Sequence, residues 1–166
     1  AIKNGVIALQ TDGTIVNVYH PQEAEAKGIT NVVRYNGVLV PGFINTHCHL
    51  ELSHLFGKIP QKTGLIDFIK GVLAFRQQPE DQVLLAMQEA DEQMFANGIV
   101  AVGDISNELI SKKVKQQSKV FYHTFLELFG FNKSAAPIIA KGLQLKNEFL
   151  PLKASIVPHA PYSVAA

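Results

Sequence analysis

A length of 166 residues is that of one ordinary domain, which buries roughly two-thirds of the surface that its unfolded chain exposes. With 47% hydrophobic and 17% charged residues, the composition excludes a disordered chain and a coiled coil. The net charge of +1 gives no attraction to nucleic acid or to an anionic membrane surface, so neither is expected as a partner. The single cysteine, Cys48, excludes an intrachain disulfide and favours a reducing, cytoplasmic compartment.

The first 37 residues have the pattern of a small all-β domain. Residues 5–10 and 14–19 are β-rich runs separated by a turn signal, Thr11-Asp12-Gly13, which predicts a hairpin. A further short strand is predicted over residues 32–35, before the turn Asn36-Gly37.

Residues 38–166 alternate between apolar strands and helix-length amphipathic segments. The predicted strands cover residues 38–45, 99–105, 120–126 and 154–157, and the predicted helices cover 65–76, 80–97, 107–117 and 135–149. The strands are almost continuously apolar, as expected when helices cover one face and a packed interior covers the other. This repeated βα pattern predicts an α/β fold with a parallel sheet, either open or closed into a barrel. The lysines at 112, 113 and 115 are expected on a solvated helix face.

The most informative segment lies at the end of the first of these strands. His47 and His49 are two residues apart, so on a strand both imidazoles leave from the same face and can reach one metal ion, while Cys48 points the other way. Functional groups collect beyond the carboxyl ends of parallel strands, which is where this pair falls. Taken alone, the pair is weak evidence for a metal site, and two polar loop histidines are the more common explanation of such a pair.

Other candidates lie near the ends of later strands or in the loop after His49. His159 follows the strand at 154–157 between two prolines, Asp104 follows an apolar strand, and Glu127 ends the strand VFYHTFLEL. A carboxylate at such a position can serve a site or cap the next helix, and a lone histidine can be purely structural. His54 is open to two interpretations, as a pocket residue or as a solvated loop residue.

In combination, three motifs resemble those of a known family. The segment PGFINTHCHLELSHL, residues 41–55, resembles the first barrel strand of metal-dependent amidohydrolases, and NGIVAVGDI resembles their second strand. PHAPYSV, residues 158–164, is similar to the fourth-strand motif of the chlorohydrolase and cytosine deaminase-like branch. That branch includes S-adenosylhomocysteine, guanine and aminodeoxyfutalosine deaminases.

The resemblance implies a fold and a division of the chain. Residues 38–166 would be the first four βα units, or N-terminal half, of a TIM (β/α)8 barrel, and residues 1–37 would be part of a small β-sandwich. A complete barrel takes about 250 residues, so the chain is expected to be incomplete and inactive alone.

The resemblance also implies roles for individual residues. His47 and His49 would be ligands of one divalent metal ion, either zinc or iron. His159 would be the catalytic histidine that bonds the substrate or the tetrahedral intermediate. Substrate-binding roles are expected for Glu51, His54, His159 and Glu127. The family's fifth-strand histidine, its His-x-x-Glu proton shuttle and its eighth-strand aspartate cannot be placed in this sequence.

The expected activity is hydrolytic deamination of a purine-like or related heterocycle, a small-molecule substrate, by a metal-activated water. Two alternatives stay open: an amide or ring C–N hydrolase of another amidohydrolase branch, and a non-catalytic chain that keeps only the fold. The sequence identifies neither the substrate nor the metal, and it leaves homo-oligomerisation open.

Overall fold

The computed structural model describes residues 1–164. The chain divides into two compact units, Ala1–Val40 and Pro41–Ala166. No helix among the described residues has the length and the apolar composition to cross a membrane.

The first unit contains a hairpin and a short helix. Strands β1 (Val6–Leu9) and β2 (Ile15–Tyr19) pair antiparallel, with Val6 opposite Tyr19. At the turn, Gly13 has a φ of 87°, a conformation that glycine adopts without steric cost. Helix α1 (Pro21–Ala26) follows, and the Glu23 side chain accepts a hydrogen bond from the His20 backbone NH. The predicted hairpin is therefore confirmed.

The segment between the hairpin and the parallel sheet differs from its prediction. The strand predicted over residues 32–35 is wrong, and the one predicted from residue 38 begins only at Phe43. A strand needs a neighbouring strand to pair its backbone groups, and in the described chain no strand pairs with residues 29–42. Val33 and Tyr35 are accordingly 77% and 89% exposed, although their side chains are typical of strands.

The second unit is a parallel sheet with helices. Its strands follow chain order across the sheet: β3 (Phe43–Cys48), β4 (Ile99–Ser106), β5 (Phe121–Leu128) and β6 (Lys153–Pro158). The helices between them are α2 (Gly64–Phe75), α3 (Glu80–Ala96), α4 (Lys112–Gln117) and α5 (Ala135–Glu148). Short 3-10 helices cover Leu50–Leu55 and Pro161–Ser163. This arrangement confirms the α/β class and the parallel sheet.

The two faces of the sheet differ in burial. Alternate residues in the middle of β4 and β5 are buried under the helices, and these residues are Val102, Asp104, Ser106, Tyr122, Thr124 and Leu126. Met87 of α3 and Val114 of α4 belong to the same core. The alternate residues, such as Phe125 and Glu127, are half-buried on the opposite face. In a barrel that opposite face is the interior, where functional groups collect at the carboxyl ends of the strands.

A glycine allows β3 and β4 to approach each other closely. A Cβ atom added to Gly103 would lie 3.0 Å from the Thr46 carbonyl oxygen and 3.2 Å from Cε2 of Phe125. Thr46 directly precedes His47, so crowding at Gly103 would act on the strand that presents the histidine pair.

We expect Gly103→Ala to lower the free energy of unfolding by about 1–3 kcal/mol, because a backbone oxygen cannot move aside without displacing β3. Urea denaturation measures the change. Gly71→Ala is the matched control, since the nearest atoms to the added Cβ belong to the Ile59 side chain, at 3.2 Å, and a side chain can move aside. A Gly103→Ala protein that unfolds at the same urea concentration as the wild type would contradict this expectation.

Candidate active site

The histidine pair lies at the carboxyl end of β3, where the strand carries an irregularity. Asn45 is opposite Val102 and Cys48 is opposite Asp104, so three steps along β3 match two along β4. The Cys48 side chain packs against the buried core. The rings of His47 and His49 lie together, with their centroids 5.2 Å apart at an angle of 66°. Cys48 thus belongs to the core, and the two imidazoles form a pair.

This pair has a geometry that suits metal ligation. Two imidazoles bound at roughly 109° to one ion, with metal–nitrogen distances of about 2.0–2.1 Å, have ring centroids about 5 Å apart. The observed separation of 5.2 Å agrees with that value. Burial lowers the pKa of His49, which favours the neutral ring that binds a metal. Among residues 1–164, however, no group of three or more His, Cys, Asp or Glu side chains is placed to hold an ion. The residues present fit two positions of a metal site.

Cys48 is not an activated nucleophile. Burial, followed by the charge of Asp104, raises the pKa of its thiol to about 12. The thiolate form required for nucleophilic attack is therefore scarce at neutral pH.

His159 lies at the carboxyl end of β6 and is held on several sides. Its backbone NH donates to the Leu128 carbonyl at 3.1 Å, which ties it to the end of β5. Its Nδ1 lies 2.7 Å from Oγ of Ser163. Its ring packs against Phe129, with centroids 4.4 Å apart, and meets Tyr162 edge-on at 5.6 Å. These contacts fix the direction of the imidazole.

Glu51 lies in the 3-10 helix after His49 and is only 4% exposed. Its Oε1 accepts a hydrogen bond from Arg76 Nη2 at 2.8 Å, and its Oε2 accepts one from the Asn107 backbone NH at 3.0 Å. Burial raises the pKa of Glu51, and both of these donors oppose that shift. Glu51 therefore connects the loop after β3 with the residue that follows β4.

His54 contacts the same arginine through the main chain. Its Nε2 lies 3.0 Å from the Arg76 carbonyl oxygen, which can only accept, so Nε2 carries a proton. The other ring nitrogen, Nδ1, is buried without a hydrogen-bond partner among the described residues. The predicted substrate residues Glu51 and His54 are thus both bound to Arg76, at the end of α2.

Glu127 lies on the half-buried face of β5, near its carboxyl end. Its charge acts on the pKa of His49, raising it against the larger effect of burial. Its backbone carbonyl accepts a hydrogen bond from Asn107 Nδ2 at 3.1 Å. Glu127 and His49 therefore lie close enough to interact electrostatically.

A buried ion pair behind the site was missed in the sequence. Asp104 and Lys115 form a bridge of 2.6 Å, and both side chains are 0% exposed. Lys115 Nζ also donates to Ser106 and Thr124 hydroxyls at 3.1 and 2.9 Å. The prediction of a solvated face is wrong for Lys115, because α4 directs this side chain onto the sheet. Asp104 lies two residues after Val102 and so shares the face of the strand that an apolar residue occupies. This position was the available signal, because a buried carboxylate needs a cationic partner.

The ion pair supports the histidine pair through the main chain. Asp104 Oδ1 accepts a hydrogen bond of 2.7 Å from the backbone NH of Leu50, the residue after His49.

Helix α4 is shorter than the predicted helix over 107–117. Asn107 is hydrogen-bonded to Glu51 and to the Glu127 carbonyl, so the chain turns there and becomes helical only at Lys112.

The amino-acid sequence of the chain is similar to that of a known deaminase. No family model matches the chain. It is 33% identical to an adenosine deaminase of Helicobacter pylori over 138 residues, 78% of this chain and 32% of that protein. The chain thus spans about a third of the length of this curated relative.

Solved structures show the same fold. The Helicobacter pylori aminofutalosine deaminase in complex with methylthio-coformycin superimposes with a TM-score of 0.78 and 25% identity, over 99% of this chain and 41% of that one. A Xanthomonas campestris adenosine deaminase with bound zinc superimposes with a TM-score of 0.70 and 17% identity, over 99% of this chain and 40% of that one.

The four βα units, with histidines beyond the first and fourth strands, therefore form part of a barrel of the (β/α)8 class. The similarity to these deaminases fits the metal-dependent amidohydrolase superfamily. The predicted family and the predicted barrel fold are confirmed.

Proposed function

We propose that the protein containing this chain is a metal-dependent aminohydrolase that releases ammonia from a purine-like heterocycle. The observation that carries the proposal is the imidazole pair at the end of β3, whose ring separation of 5.2 Å suits one metal ion. The similarity to an adenosine deaminase and to an aminofutalosine deaminase supports deamination as the reaction.

We infer that His47 and His49 hold one divalent ion. Zinc is the first choice, because it prefers imidazole ligands and a zinc-bound adenosine deaminase shares the fold; iron also accepts nitrogen and oxygen ligands. When bound, such an ion supplies a water nucleophile activated near neutral pH. The lowered pKa of His49 keeps its ring neutral for this role.

The chain's other residues would position the substrate and the ligands. His159, fixed by Ser163 and two aromatic rings, would contact the reacting heterocycle. Glu127 shares the interior face and would contact substrate near His49. The observed partners of Glu51 and His54 favour a supporting role for both, in which Arg76 holds the loop after His49. Their predicted contact with substrate stays a prediction.

The substrate would be a small molecule that carries an exocyclic amino group on a purine-like ring. Cytoplasmic location is part of the proposal, supported by the single cysteine, Cys48, which is free. Residues 1–37 are proposed to be part of the family's small β-sandwich, and residues 38–166 its first four βα units.

Ammonia release tests the function. We expect the zinc-loaded protein to release ammonia from adenosine or aminofutalosine and to leave N-acyl amides intact. Hydrolysis of the amides without ammonia from the purines would place the protein in another amidohydrolase branch. A protein that takes up no zinc and turns over none of these substrates would favour the non-catalytic alternative.

A further inference from the structure

The hydroxyl of Ser163 lies where three polar groups meet. Ser163 is fully buried, and its Oγ is 2.7 Å from Nδ1 of His159. The same Oγ is 2.9 Å from the Ala160 carbonyl oxygen and 3.1 Å from the Ala160 backbone nitrogen. A serine hydroxyl has one proton to donate and two lone pairs that accept, so these three contacts limit its arrangement.

The partners decide where that proton goes. The Ala160 carbonyl can only accept, and the Ala160 NH can only donate. With the hydroxyl proton directed to the carbonyl, Oγ accepts from both the Ala160 NH and the imidazole, so all three contacts are hydrogen bonds. With the proton directed to the imidazole, two oxygens would face each other at 2.9 Å with no proton between them. The Ala160 carbonyl also accepts a hydrogen bond of 2.9 Å from the Ser163 backbone NH, so it has a donor in either arrangement. Only the first arrangement makes all three Oγ contacts hydrogen bonds, and it requires a proton on Nδ1 of His159.

We propose that Ser163 is a positioning residue that fixes neutral His159 as the tautomer with its proton on Nδ1. The inference rests on the proposed function in one respect, that His159 faces the substrate. It follows that Nε2 offers a lone pair to the substrate and accepts a hydrogen bond. The substrate therefore presents a donor to His159, either a ring N–H or a hydroxyl. Neutral His159 cannot donate from Nε2 to a developing oxyanion. Donation from Nε2 requires a second proton on the ring, bound at that nitrogen.

The hydroxyl can be tested apart from the backbone of Ser163. The Ser163 carbonyl accepts hydrogen bonds of 2.7 Å from the backbone NH groups of Gly130 and Phe131. These bonds hold the Pro161–Ser163 turn against the loop after β5, and they do not involve the side chain. Ser163→Ala therefore removes the side-chain contacts to His159 and to the Ala160 main chain, and it keeps the main-chain anchor.

A second serine and histidine pair supplies a matched control. Oγ of Ser155 lies 3.0 Å from Nε2 of His123, on neighbouring strands of the same sheet. Ser155→Ala removes an equivalent hydroxyl contact without touching His159.

The test is long-range 1H–15N NMR of the metal-loaded protein labelled with 15N-histidine, with His159 assigned from the His159→Gln spectrum. At a pH where the ring is neutral, we expect a protonated Nδ1 and an unprotonated Nε2. In Ser163→Ala we expect a mixture of tautomers and a roughly three- to tenfold lower kcat/KM, the effect of losing one hydrogen bond. Ser155→Ala should leave both values unchanged.

A protonated Nε2 in the wild-type protein would overturn the inference, even in an active deaminase. An unchanged tautomer in Ser163→Ala would also overturn it, because the ring would then be fixed by other contacts. Conversely, a protonated Nδ1 in a protein that releases no ammonia would refute the proposed function and leave the tautomer assignment in place.

Discussion

Asp104→Ala should lower the free energy of unfolding by about 3–5 kcal/mol, because it leaves the Lys115 ammonium buried without its countercharge. The backbone NH of Leu50 loses its acceptor in the same variant. Urea or thermal denaturation measures the loss.

The matched control is the exposed pair Asp67–Lys70, whose side chains are 64% and 72% exposed. Asp67→Ala should change stability by less than about 1 kcal/mol, since water screens this pair. The double variant Asp104→Leu/Lys115→Met should recover much of the loss, because an apolar pair replaces the buried charges. An Asp104→Ala protein as stable as the Asp67→Ala control would contradict the role given to the buried pair.

The second large effect concerns activity. His49→Ala should reduce kcat/KM for deamination by about 1,000-fold or more, because the ion that activates the water loses an imidazole ligand. Steady-state ammonia release, measured with zinc in excess, checks this value. His20→Ala is the control, since His20 is exposed in the first unit of the chain.

A His49→Ala protein with wild-type kcat/KM would show that the histidine pair does not hold the catalytic ion. A loss of activity in His20→Ala as well would point to general damage instead of loss of a ligand.

The fold was largely predictable because its signals are strong and local. Apolar strands followed by amphipathic helices predict βα units, and the structure has four of them in chain order. The predicted strand over residues 32–35 was wrong because strand formation also depends on a pairing partner, which a local pattern does not contain.

The candidate site was predictable only in part. The spacing of His47 and His49 and the position of His159 after a strand are visible in the sequence. The hydrogen bonds that hold the loop after His49 are not visible in the sequence, because their donors and acceptors are distant along the chain. Arg76 reaches Glu51 across 25 residues, and Asp104 reaches the Leu50 backbone across 54. Lys115 was misassigned because a lysine on a short polar helix is usually exposed, and only the position of the sheet decides its burial.

The most direct test of the proposed metal centre is the metal content of the purified protein. In the wild-type protein that contains this chain we expect one divalent ion per molecule, and we expect its loss in the double variant His47→Ala/His49→Ala. Cys48→Ser should keep the ion, because Cys48 lies between the two histidines in sequence but packs into the core. Retention of the ion by the double variant, or its loss from Cys48→Ser alone, would contradict the assignment of the histidine pair as metal ligands.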